Sequence, residues 1–122
     1  MPDQYYRMAI SPFDNRRRFP HSLERDLFRG FVPIHILHHA GKEEVFRQAL
    51  KKELERHGYR LSFGTLYPVL HRLEKNGLLC SARSTVAGKV RKYYRLTPSG
   101  RAMLDRAKPY IRELVAEVLE DK

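Results

Sequence analysis

The sequence has one cysteine, Cys80, in 122 residues, no tryptophan and no long apolar run. A single thiol excludes an intramolecular disulfide and fits a reducing compartment. Without tryptophan, a ligand pocket built on stacked indoles is excluded. No stretch approaches 18 apolar residues, so no membrane-spanning helix is expected and a membrane is not among the expected partners. The opening Met1-Pro2-Asp3-Gln4-Tyr5-Tyr6-Arg7 lacks the apolar core of a secretory signal, so the expected location is cytoplasmic. The chain also lacks a spaced cysteine set, a glycine-rich phosphate loop and a nucleophile–base pair. An enzyme is therefore not expected, and neither a cofactor nor a metal is assigned.

What is abundant is positive charge. The sequence carries 24 Lys+Arg against 14 Asp+Glu, a formal net charge of +10. Such an excess makes nucleic acid or another anionic surface a natural partner. It is unevenly spread. Residues 78–100 contain Arg83, Lys89, Arg91, Lys92 and Arg95 and no acid. With 42% hydrophobic residues, the chain is long enough for one globular domain with its own core.

Residues 1–21 hold Pro2, Pro12 and Pro20 and no sustained period, and read as an extended arm. Ser22 can cap a helix beginning at Leu23, whose apolar positions are Leu23, Leu27, Phe31, Ile34 and Leu37. Pro33 predicts a bend or break near Gly30–Pro33. A second helix is expected from about Glu43 to Arg56, with Val45, Phe46, Ala49, Leu50 and Leu54 as its stripe and Gly58 beyond its end. Ser62 caps a third helix with Phe63, Leu66, Leu70 and Leu73 inward, and Asn76-Gly77 stops it. The period then changes. Leu78 to Thr85 and Val90 to Leu96 are rich in strand formers, with Val86 to Lys89 as the turn of a basic hairpin. Cys80, at its start, reads as a buried small residue. Thr97-Pro98 opens a last helix carrying Leu104, Ala107, Ile111, Leu114, Val115, Val118 and Leu119.

Helix, glycine-containing turn, helix and basic hairpin together make a winged helix-turn-helix. The fold class is mainly α with a small β-hairpin (α+β), the winged helix-turn-helix over 22–97 and a long C-terminal helix over 98–122. The stripe of the third helix leaves Thr65, Pro68, His71, Arg72 and Lys75 outward. B-DNA's major groove admits such a helix, and its base edges identify each pair. Arg60, Ser62, Thr65 and Tyr67 are placed to meet phosphates around the helix start. His71 and Arg72 suit base edges, and Lys89, Arg91 and Lys92 of the hairpin suit the flanking backbone or minor groove. No later element covers the last helix. A homodimer interface is therefore expected from Leu23, Leu27, Leu104, Ala107, Ile111, Leu114, Val115, Val118 and Leu119. Packing back on the first helix of the same chain is the alternative.

The stretch His57-Gly58-Tyr59-Arg60-Leu61-Ser62-Phe63-Gly64-Thr65-Leu66-Tyr67-Pro68-Val69-Leu70-His71-Arg72-Leu73-Glu74 resembles the recognition helix of PadR-like transcriptional regulators. So do Gly77-Leu78-Leu79 and Arg91-Lys92-Tyr93-Tyr94-Arg95-Leu96-Thr97-Pro98-Ser99-Gly100-Arg101. The resemblance implies a dimeric repressor on palindromic double-stranded DNA, with a single C-terminal dimerisation helix as in shorter members. Two positions depart from the pattern. Phe63 stands where proline is common, and Glu44-Val45-Phe46-Arg47 stands where many members enter the second helix through Gly-Tyr. A small-molecule effector of unknown identity is left open as a further partner. A winged helix that binds RNA or protein is the alternative function. His35 and His39 have the i, i+4 spacing of a ligand pair, but no accompanying acid lies between them, and they read as ordinary helix histidines.

Overall fold

A computed structural model of the chain describes residues 21–121. The expected arm lies outside the described residues except for His21, which opens the first helix. The elements run α1 (His21–Lys42), β1 (Val45–Phe46), α2 (Arg47–Arg56), α3 (Phe63–Lys75), β2 (Leu79–Val86), β3 (Lys89–Leu96) and α4 (Pro98–Val118).

Helix α1 buries Val32, Ile36, Leu37 and Ala40 along one face, the spacing a 3.6-residue turn requires. It does not break at Pro33, contrary to the expectation from sequence. Buried residues on both sides of the proline hold the helix in register, so packing offsets the one lost hydrogen bond.

The second correction concerns Val45 and Phe46. They belong to a short strand, not to α2, and pair antiparallel with Tyr94 and Tyr93 of β3. The sheet is therefore three-stranded in the order β1-β3-β2. Helix α2 presents Leu50 and Leu54 to the core and closes with a Schellman arrangement. In that closure the Tyr59 N–H donates to Leu54 and the Gly58 N–H to Glu55, with Gly58 at φ +96°, where a side chain is disfavoured.

Helix α3 starts as expected. The Ser62 hydroxyl accepts from the Thr65 N–H at 3.2 Å. Leu66, Leu70 and Leu73 are buried, and the helix continues through Pro68. Strands β2 and β3 pair from Leu79↔Leu96 to Val86↔Lys89. The turn is tighter than the four residues expected: only Ala87 and Gly88 connect the strands, both at positive φ, the geometry of a type I′ hairpin. Because β2 is the outer strand, alternation turns Leu79 inward and Cys80 outward; the cysteine is exposed, not buried.

Thr97 caps α4 by accepting from the Gly100 N–H, with Pro98 in the first turn. The core joins α1, α2 and α3 through Tyr59, Leu61, Leu79, Tyr94 and Leu104. Burial raises the pKa of the Tyr59 phenol. No polar or charged residue is buried among the described residues. None of the described helices is long and apolar enough to cross a membrane.

Candidate nucleic-acid interface

The three buried leucines of α3 fix which way its other side points. Thr65, Tyr67, Pro68, His71, Arg72 and Lys75 are all exposed, as are Ser62 at the cap and Arg60 in the preceding turn. Ser62 and Thr65 are tied to each other, their hydroxyl oxygens 3.2 Å apart. The helix start is thus ordered before anything docks there. Among the described residues no carboxylate comes within ion-pair distance of Arg60, Arg72 or Lys75, so their charge is uncompensated.

Tyr67 is less free than its exposure suggests. The Arg47 guanidinium lies over its ring at 4.4 Å, and the Phe63 ring stands 5.2 Å away. Such a stack orients both groups. Arg47, the first residue of α2, was not among the residues singled out from sequence. Only the packing of α2 against α3 brings it there, and no local motif marks it.

The wing divides its cations between two faces. Lys89 is exposed, and Arg91 lies over the Phe46 ring at 4.7 Å. A cleft between the wing and the starts of α2 and α3 is lined by Arg47, Tyr67, Lys89, Arg91 and Lys92, with no acid. Lys92 also reaches back to Glu74 of α3, 3.6 Å away, and so links wing to helix. Arg95 is paired with Glu44 and contributes little net charge to the wing. The basic segment is therefore not one uniform patch. Its free charge gathers at Lys89, Arg91 and the exposed Arg83, while Lys92 and Arg95 have carboxylate partners.

The residues expected at a dimer interface separate as well. Ile111, Leu114, Val115 and Val118 are exposed on α4, as are Leu119 at its C-cap and Leu23 on α1. Leu27 and Ala107 are half-buried. Leu104 is only 5% exposed and belongs to the core of its own chain. It sits where α4 still lies over the domain, and helical spacing alone does not reveal where that cover ends. Phe31 and Ile34 of α1, with Met103 and Tyr110 of α4, extend the apolar face.

Three helices, the last with a polar outer face, followed by a basic hairpin that leans on it define a winged helix-turn-helix protein. The profile of the Transcriptional regulator PadR-like family matches residues 36–106, and the chain belongs to that family. It is 53% identical over 95 residues to the transcriptional regulator Rv3488 of Mycobacterium tuberculosis, which spans 78% of this chain and 89% of that protein. The fold is similar to that of a PadR family regulator from Eggerthella lenta, with TM-score 0.70 and 34% identity over 82% of this chain and 88% of that one. It is also similar to a PadR-like regulator from Bacillus cereus, with TM-score 0.72 and 29% identity over 78% and 94% of the two chains. The protein is thus a transcriptional regulator in class.

Proposed function

We propose that the protein binds a palindromic operator as a homodimer, inserts α3 into the major groove and lays the wing on the flanking backbone or minor groove. The carrying observation is the outer face of α3, where Arg72 and Lys75 stand exposed and unpaired beside the acid-free cleft of Arg47, Lys89 and Arg91. Arg72 and His71 read base edges. Arg60, Ser62, Thr65, Tyr67, Lys89 and Arg91 hold phosphates, and Pro68 supplies an apolar contact. Lys92 adds charge while linking the wing to Glu74.

The second protomer covers the apolar face of α4 and Phe31 of α1. Two-fold symmetry then places two recognition helices about one DNA turn, or a multiple of it, apart. Occupancy excludes other proteins from the same stretch of DNA, so repression is the expected outcome. An effector lodged between the α4 helices would act by favouring the wrong spacing of the two recognition helices.

Selection of bound sequences from a random duplex pool, with Arg72→Ala in parallel, tests the reading. A two-fold symmetric motif, relaxed in the variant, is expected. With about four phosphates neutralised per protomer, the log–log salt slope should be roughly −7. Salt-insensitive binding, or none to any duplex, would overturn it and leave RNA or protein as the partner.

A further inference from the structure

The sequence offers two histidines one helical turn apart; the fold adds a third. His57 caps the end of α2 and faces α1. The ligand nitrogens of His35, His39 and His57 all lie within 4.8 Å of one another. The Nε2 atoms of His39 and His57 are 3.3 Å apart. The rings of His35 and His57 stack at 4.6 Å between centroids. A Glu53 carboxylate oxygen lies 3.8 Å from the His39 Nε2.

We propose that His35, His39 and His57 form a binding site for a divalent late transition-metal ion of the Zn2+ class, with Glu53 as the nearest further donor. Three points of chemistry carry this. First, tetrahedral zinc held at about 2.0–2.1 Å by imidazole sets its ligand nitrogens roughly 3.3–3.4 Å apart. The His39–His57 pair already has that spacing, and ring rotation of His35 closes the triangle. Second, all three donors are imidazoles with a carboxylate beside them and no thiolate. That set suits zinc, cobalt, nickel or copper rather than calcium or magnesium. Third, the site opens onto a groove between α1 and α2 lined also by His38, Lys42 and Glu53, so an ion can enter and leave. Three protein ligands leave the fourth tetrahedral position for water, Glu53 or another donor, the arrangement of open rather than closed structural zinc sites.

The electrostatics agree. Burial first, and then the neighbouring His57, His39 and His38, hold His35 below the usual histidine range. His39 is lowered chiefly by burial, with Glu53 opposing. The neutral, metal-ligating form is thereby favoured. Lys42 adds repulsion toward a cation near His39, and the Glu53 carboxylate opposes it.

The place of the site gives it a consequence. His57 is the last residue before the turn that leads through Ser62 into α3. An ion shared by His57 and α1 ties that turn to the scaffold. On the reading that α3 enters DNA, metal occupancy then bears on how α3 is presented.

The test is zinc titration of the full chain by calorimetry, in the absence of DNA. One Zn2+ per chain is expected, with binding weakened at least tenfold in His57→Ala and in His39→Ala. His38→Ala is the control: its ring lies 5.3 Å from that of His39, but it is outside the triad. Its binding should match the original chain within twofold. Co2+ on the unaltered chain gives a second readout, the visible absorption of a tetrahedral nitrogen site, which does not depend on any variant folding. No zinc binding, loss of binding equal in His38→Ala and His57→Ala, or octahedral cobalt spectra would overturn the site. Because binding is read without DNA, its failure and the failure of the proposed operator binding are separate results. Operator affinity with and without Zn2+ then reads the coupling.

Discussion

Helices α3 and α4 carry apolar stripes of the same helical spacing and meet opposite fates. In α3, Leu66 and Leu70 are 0% and Leu73 is 6% exposed. In α4, Leu114 is 50% and Val118 64% exposed, and Leu119 just beyond it 76%. Both stripes have the pattern of a face that seeks cover. Only α3 lies between other elements of its own chain; beyond Leu104, α4 leaves an open apolar groove between itself and Phe31, Ile34 and Tyr59. Apolar periodicity thus marks a face to be covered, and position in the fold decides whether the same chain can cover it.

The contrast can be broken most severely inside the core. Leu70→Ala should cost about 2–5 kcal/mol of folding stability, read as a lower urea midpoint, because a fully buried side chain is removed and a cavity is left behind. The same kind of change on α4 should behave differently. Leu114→Asp should leave the urea midpoint of the monomer nearly unaltered while weakening self-association by at least about 2 kcal/mol, some thirtyfold, in sedimentation equilibrium. An equal fall in folding stability would mean that α4 is covered within its own chain.

The polar face of α3 sharpens the comparison. Arg72→Ala should cost about 1–3 kcal/mol in operator affinity and relax the preference at one base pair per half-site. Arg91→Ala should instead weaken all duplexes about equally and reduce the salt slope by roughly 1 per protomer. Competition binding against mismatched duplexes separates the two. The smallest effect is expected at the cap: Ser62→Ala removes the hydroxyl that accepts from Thr65 and should cost about 1 kcal/mol of stability, with little change in self-association.

Much of this was legible in sequence where the signal is local. Ser62 and Thr97 are cap residues followed by helical periods, and both act as caps. The basic hairpin follows from strand formers around a turn. What was not legible depends on partners far along the chain. Val45 and Phe46 look like helix residues until Tyr93 and Tyr94 are placed beside them. Pro33 looks like a break until the burial of Val32 and Ile36 is known. Lys92 and Arg95 look like free wing charge until Glu74 and Glu44 are seen opposite them. Neither Arg47 nor His57 stands out by its neighbours in sequence as a site residue, and each gains that meaning only from the packing of α2 against its neighbours.

Pro68 has a consequence of its own. It stands exposed midway along α3, one turn before Arg72. A surface-bound Arg or Lys gives up about 2 kcal/mol of rotamer freedom when held in one position, whereas proline has none to give. The Thr65–Pro68 stretch therefore offers a preset contour, and Arg72 and Lys75 offer reach. A binding face built this way should show its smallest entropic penalty at its centre and its largest at the far end of the helix.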